Sequence, residues 1–327
     1  MQKSGKVVCL RQKKDFEDFN APAPAHFETH YLRPDDKDLI LIARDADVLV
    51  IPAVGPKVSN TIFSQTSIKF VQVTGAGIDR LDSHFCKEQG ITVCNVQGGS
   101  AFAVAEFCLA SAIVLSRRLN LGSNAISSGN YANIRQRMIM EKMVSLQGQI
   151  VGIVGLGTIG RETARLFNIM GCRIFGYDIM EPQQGQTKTP YVQMCELPYL
   201  LEISDIVSIH VPLLDETVNL ISTKELNMMK PLGILINASR GGVVDENALV
   251  KALELNRIRG AVLDVFSKEP PSTDSPLLNL SQNTLDKVIF TPHIAGVTAQ
   301  AWTELFTRSW NNIQSYLNGE SLIGKQI

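Results

Sequence analysis

The stretch VGIVGLGTIG (151–160) constrains this chain more than any other. Its glycines follow the spacing G-x-G-x-x-G, which taken alone is a weak signal. Here an apolar strand pattern precedes it and helical spacing follows over 161–170. A second apolar strand then ends at Asp178. That is the strand–turn–helix–strand context of a dinucleotide-binding unit. Gly155 is expected to allow the tight turn, Gly157 to let backbone approach a pyrophosphate, and Gly160 to let the helix lie close to the strand. The start of the helix, with Thr158 and Ile159 in its first turn, offers N–H groups and a partial positive charge to phosphates. Asp178 lies 18 residues after Gly160. A carboxylate there accepts hydrogen bonds from ribose hydroxyls and repels a 2′-phosphate. No Arg or Lys occurs at 179–186, so NAD is the expected cofactor rather than NADP.

The rest of the chain organises around this unit. Strand patterns at 150–154, 173–177, 206–209, 233–237, 260–263 and 288–290, mostly separated by helical spacing, predict a six-stranded doubly wound domain. Before it, apolar runs at 7–10, 48–51, 69–73 and 91–94 predict a smaller α/β unit with a parallel sheet. With 327 residues the chain exceeds the usual size of one core, which agrees with two domains. A long helix is expected from about 100 to 119. The polar segment 120–145 reads as a connector or surface arm. The last helix, 298–317, spaces Trp302, Leu305, Phe306, Trp310, Ile313 and Leu317 along one face, with Gly319 as its stop. Lying beyond the sixth strand, it is expected to pack back on the first domain and make that domain discontinuous.

Several function classes are disfavoured. A net charge of -1 with no like-charge block argues against a broad nucleic-acid-binding face. The longest apolar stretch, 101–115, is too short to cross a bilayer and contains Glu106, and the N-terminus has no secretory pattern. No membrane association is expected. The six cysteines are scattered without a CxxC pair, which suits reduced thiols in a cytoplasmic protein. No metal site is expected.

Reduction of a ketone by hydride transfer asks the protein for three things. A group must hold the substrate carboxylate and polarise the carbonyl, a donor must protonate the new alkoxide, and something must keep that donor charged. Three motifs at successive strand ends supply candidates: NASRGG (237–242) with Arg240, DVFSKEP (264–270) with Glu269, and TPHIAG (291–296) with His293. In an open α/β sheet the carboxyl ends of the strands converge on the ligand crevice.

With these motifs the chain resembles the D-isomer-specific 2-hydroxyacid dehydrogenases. The likeness runs from about 46 to 298 through VTGAGIDRLD (73–82), SAFAVAEF (100–107), GIVGLGTIG (152–160), HVPLLDET (210–217), NASRGGVVDENAL (237–249), LDVFSKEP (263–270) and TPHIAG (291–296). The resemblance implies a Rossmann NAD domain, 99–295, inserted in a smaller flavodoxin-like substrate domain, 1–98 and 296–327. It implies that Arg240 binds the substrate carboxylate and carbonyl, that His293 is the acid/base, and that Glu269 pairs with it and favours the imidazolium. It assigns Asp264 to the nicotinamide carboxamide, and the backbone of Ala76 and Gly77 to the substrate carboxylate. The cofactor set it implies further includes His210, Pro212, Thr217, Ala238, Ser239, His293 and Gly296. A homodimer built largely on the nucleotide-domain helices and the 100–145 region is also implied.

Phosphoglycerate dehydrogenases hold a phosphate with arginines near the strand end at 49–54 and just before the TGAG loop. Here 49–54 and 71–73 contain none. An unpaired phosphate is costly to bind, so a small 2-oxo acid of the glyoxylate, hydroxypyruvate or pyruvate type is expected. The family's Asn-x-Pro-Gly is Asn95-Val96-Gln97-Gly98, which removes no chemical group. The alternatives are an NADH-sensing corepressor-like binding protein and a phosphite- or formate-type dehydrogenase. Glu269 stands where formate dehydrogenases carry Gln, which favours protonation chemistry.

Overall fold

The computed structural model describes residues 3–141, 143–179 and 189–327. The chain divides into two compact units, Met1–Ser100 with Val297–Ile327, and Ala101–Gly296.

The first unit holds β1 (Lys6–Cys9), β2 (Glu28–Tyr31), β3 (Val48–Ile51), β4 (Phe70–Val73) and β5 (Thr92–Cys94). They form one parallel sheet in the order β2-β1-β3-β4-β5, the flavodoxin-type arrangement. β3 and β4 are buried at every position, Gln72 included, as central strands covered on both faces must be. β2 is the strand that apolar patterning does not show: its ETHY sequence is partly exposed at the sheet edge.

One face of this sheet is closed by the helix Ala299–Asn318. Its Leu305, Phe306, Trp310 and Ile313 pack with Val7, Val48, Val50 and Phe70. Each such side chain withdrawn from water contributes about 1.5–3 kcal/mol. The Thr298 hydroxyl accepts from the Ala301 N–H at the start of the helix, and Gly319 ends it at φ 76°.

The second unit holds β6 (Ile150–Val154), β7 (Arg173–Tyr177), β8 (Val192–Met194), β9 (Ile206–Ile209), β10 (Ile234–Asn237), β11 (Gly260–Leu263) and β12 (Val288–Phe290). All pair in parallel, in the order β12-β11-β10-β9-β6-β7-β8. This is the Rossmann order with one added strand. The expected count of six becomes seven because β8 pairs on one side only and is three residues long, with Gln193 and Met194 exposed. Such an edge needs no apolar run. The chain reverses its direction across the sheet between β6 and β9, which makes their carboxyl ends the switch point.

The segment read as a connector at 120–145 is largely helical, with helices Leu119–Ser127 and Tyr131–Met140. The first buries no residue and the second only Ile134, so their apolar residues face outward rather than into a core.

Candidate active site

The glycine turn lies at the switch point. Gly155 has φ +94° and donates its N–H to the Tyr177 carbonyl over 2.8 Å. A Cβ there would press on the His210 backbone, and one at Gly160 would run into the Gly155 carbonyl oxygen. At Gly157 the same Cβ would meet nothing within 4 Å, so this side of the turn is open. Gly157 begins the helix Thr158–Ile169 without a side-chain cap. The N–H groups of the first turn therefore have no partner within the helix. The Asp178 carboxylate accepts from the Leu156 N–H over 2.7 Å, which places it at the lip of the turn. An open glycine, a helix start and a fixed carboxylate together fit a dinucleotide. The stretch 180–188, which includes most of the Arg- and Lys-free segment, lies outside the described residues.

His210 follows β9 and donates its N–H to Val154 at the end of β6, over 2.7 Å. Its Nε2 is 2.9 Å from Ser208 Oγ, and its Nδ1 is enclosed without a hydrogen-bond partner. Burial pushes the imidazole down to about 3, so it is neutral near pH 7. The Thr217 hydroxyl donates to the Pro212 carbonyl over 2.6 Å and accepts from the Leu214 N–H over 2.7 Å, closing the turn between them.

β10, β11 and β12 are adjacent and parallel, so their carboxyl ends are neighbours. After β10, the Asn237 side chain donates to the Arg240 carbonyl and accepts from the N–H and hydroxyl of Ser239. Arg240 Nη1 donates to the Ser239 carbonyl over 2.7 Å. Together with Ala238, these residues form a tied turn. Gly241 lets this turn touch the loop after β11, because a Cβ there would overlap the Phe266 carbonyl.

Glu269 Oε2 lies 2.8 Å from His293 Nδ1, and Glu269 Oε1 accepts from the Phe266 N–H over 3.1 Å. The two paired side chains are about a quarter exposed, 28% for Glu269 and 25% for His293. Partial burial pushes the Glu269 carboxyl up. The hydrogen bonds from His293 and Phe266, with the charges of His293 and Arg240, outweigh that and hold it below its usual range. Arg240, Glu269 and His293 are thereby brought to one edge.

His293 has φ 55°, a left-handed conformation that is costly for a residue with a side chain. Asp264 over-determines it. This residue is 1% exposed. Its carboxylate accepts from the Thr291 hydroxyl over 2.6 Å, the Ile294 N–H over 2.8 Å and the Ala295 N–H over 2.8 Å. Its carbonyl accepts from the His293 N–H over 2.8 Å. Gly296 ends the unit just beyond.

Ala76 and Gly77 belong to the other unit, in the loop after β4. The Gly75 carbonyl accepts from the Val96 N–H over 2.9 Å, and the Ala76 carbonyl accepts from the Asn95 side chain. Among the described residues, no hydrogen bond engages the N–H groups of Gly75, Ala76 or Gly77.

The sequence profile described as "D-isomer specific 2-hydroxyacid dehydrogenase, NAD binding domain" matches residues 109–295. The glyoxylate reductase of Thermofilum pendens is 34% identical over 297 residues, covering 90% of this chain and 86% of that protein. The chain belongs to the D-isomer-specific 2-hydroxyacid dehydrogenase family. NAD is the cofactor of this family's nucleotide domain. The D-3-phosphoglycerate dehydrogenase of Methanocaldococcus jannaschii is 33% identical over 285 residues, or 87% of this chain, which spans only 52% of that protein's length. The solved structure of a D-2-hydroxyisocaproate dehydrogenase superposes with a TM-score of 0.82 at 22% identity, covering 99% of each chain, and shows the shared fold.

Two contributors to this site are not read from the sequence, Asn237 as the tie of the arginine turn and Ser208 as the partner of His210, and Asp264, read from its motif as a nicotinamide contact, also anchors the histidine loop. Among the described residues, no group of three or more His, Cys, Asp or Glu could hold a metal ion, and no helix is long and apolar enough to cross a membrane.

Proposed function

We propose that the chain reduces a small 2-oxo acid of the glyoxylate, hydroxypyruvate or pyruvate type to the D-2-hydroxy acid, and catalyses the reverse oxidation, with His293 as acid/base. The observation that carries this reading is the 2.8 Å pair of His293 Nδ1 and Glu269 Oε2, next to the turn of Arg240. Glu269 accepts at Nδ1, which leaves Nε2 to give its proton to the substrate oxygen. Bound NADH supplies the hydride that reaches C2. In the oxidation the neutral ring takes the hydroxyl proton. The planar guanidinium of Arg240 suits a carboxylate and its adjoining carbonyl, and pulls electron density toward the oxygen that gains charge.

The N–H groups of Gly75, Ala76 and Gly77 supply neutral donors for the substrate carboxylate. Gly155, Gly157, Thr158, Ile159, Gly160 and Asp178 hold the pyrophosphate and ribose. His210, Pro212, Thr217, Ala238, Ser239, Asp264 and Gly296 line the remainder of the cofactor site in this reading. In the structure, Asp264 carries the histidine loop, which supports a positioning part for it.

A homodimer belongs to the same reading. It is supported by the exposed Leu119, Ile126, Tyr131, Ile139 and Met140 on the helices Leu119–Ser127 and Tyr131–Met140, and sedimentation equilibrium reads it directly. Cytoplasmic residence is supported by six free thiols, and cell fractionation tests it.

The test of the activity is a panel of glyoxylate, hydroxypyruvate, pyruvate and 3-phosphohydroxypyruvate with NADH and NADPH, followed at 340 nm. NADH should exceed NADPH in kcat/KM by about tenfold or more, the equivalent of one hydrogen bond plus one repulsion at Asp178. Equal use of both cofactors would contradict the role of Asp178. No turnover of any 2-oxo acid would refute the activity.

A further inference from the structure

We propose that Arg11 is a positioning residue for the 2-oxo acid, acting through Thr74 on the loop 74–77. This rests on the assignment of that loop to the substrate carboxylate.

Arg11 stands two residues beyond β1, far in sequence from the loop, yet its Nη1 donates to Thr74 Oγ1 over 3.2 Å. Its Nε donates to Asp15 Oδ2 over 3.2 Å. The guanidinium carbon lies 4.7 Å from the ring centre of Trp302 and 4.9 Å from that of Phe306. The side chain is only 13% exposed. A planar guanidinium bonded to two oxygens and packed over two aromatic rings has little freedom to turn. A lysine ammonium has no such plane.

Thr74 is the first residue after β4 and is buried. Both its N–H and its hydroxyl donate to the Ile51 carbonyl, over 2.9 Å and 3.3 Å. The hydroxyl has a single proton, and that proton is used. Arg11 therefore occupies its acceptor side, and the Thr74 rotamer is set from both directions. The chain then enters Gly75, where a Cβ would sit 2.7 Å from the Ala53 Cβ, so glycine is what lets the loop run this close to Ala53. With the Gly75 and Ala76 carbonyls already bonded, the orientation of Thr74 decides where the amide donors of 75–77 point.

Three variants test this: Arg11→Met, which keeps the stem and removes the fork, Thr74→Val, which removes the hydroxyl, and their combination. Steady-state kinetics with glyoxylate and NADH, NADH binding by fluorescence, and melting temperature are measured for each. Either single change should raise the KM for glyoxylate about tenfold, the loss of one charge-assisted hydrogen bond, while kcat and NADH affinity stay within about threefold. The double variant should be no worse than the worse single variant, since both remove the same contact. Arg11→Lys should recover less than half of the loss. If Arg11→Met melts too early to assay, Thr74→Val carries the same KM test.

A glyoxylate KM within twofold of the parent in a folded single variant would overturn the proposal. So would a parallel fall of kcat and NADH affinity, which marks general damage. A parent that prefers 3-phosphohydroxypyruvate, with that preference lost in Arg11→Met, would also overturn it in favour of direct substrate contact. A parent that turns over no 2-oxo acid sinks the broader activity instead.

Discussion

At the carboxyl end of the seven-stranded sheet, the loops after β10, β11 and β12 carry Arg240, Glu269 and His293. In the five-stranded sheet, the loop after β4 carries Thr74, Gly75, Ala76 and Gly77. The first edge works with ionisable side chains. These need a rigid frame, and the buried Asp264 carboxylate provides it by bracketing His293 with three hydrogen bonds. The second edge offers backbone amides. Its frame is the reverse: carbonyls are tied down so that N–H groups remain available. The two edges thus differ in the kind of group they leave available: ionisable side chains in one, backbone donors in the other.

The comparison separates the two edges by which kinetic constant a variant moves. Asp264→Asn should give the largest effect of the changes that touch no substrate. Its amide NH2 must face one of the N–H donors it now accepts from, inside a site that is 1% exposed. The resulting shift of the His293 loop should cost about 100-fold in kcat, with a smaller change in the KM for the 2-oxo acid. A KM rise that exceeds the kcat loss would erase the distinction from Arg11, whose removal acts on KM.

A smaller effect follows from titration, since only the first edge contains groups that change charge with pH. His210 is held down to about 3 by burial, from a reference of 6.5. Between those values the unfolded chain binds a proton that the folded chain does not, so stability falls as pH drops from 6.5. Glu269 acts in the same direction at lower pH: its stabilisation is present above its unfolded value and is lost as pH falls through its depressed folded one. The melting temperature should therefore decline on acidification already above the carboxylate range, and His210→Gln should flatten that first part of the decline. Equal slopes for both proteins would show that the ring is not held neutral by its surroundings.

The two edges also differ in how far sequence discloses them. Arg240, Glu269 and His293 follow apolar strands directly, and a strand end is a local pattern, so their convergence can be read from spacing and parallel topology. The glycine turn is legible for the same reason. Arg11 and Thr74 are 63 positions apart, and their contact depends on the closing of a sheet and on the returning helix Ala299–Asn318. No local pattern encodes that. Asp264 reads as a cofactor contact from its motif, and only the hydrogen bonds reveal the loop it carries. The edge strands β2 and β8 escape notice because they are short and partly polar. The helices of 119–140 escape because they bury almost nothing.

The central claim is that Glu269 and His293 act as one proton-delivering unit, and a double-mutant cycle on kcat tests it most directly. Glyoxylate reduction is followed for the parent, Glu269→Gln, His293→Ala and the double variant, with NADH binding checked in each. His293→Ala should lose about 10³–10⁴-fold, Glu269→Gln less, and the double variant no more than His293→Ala alone, because the carboxylate has nothing left to orient. Losses that multiply in the double variant would contradict the account.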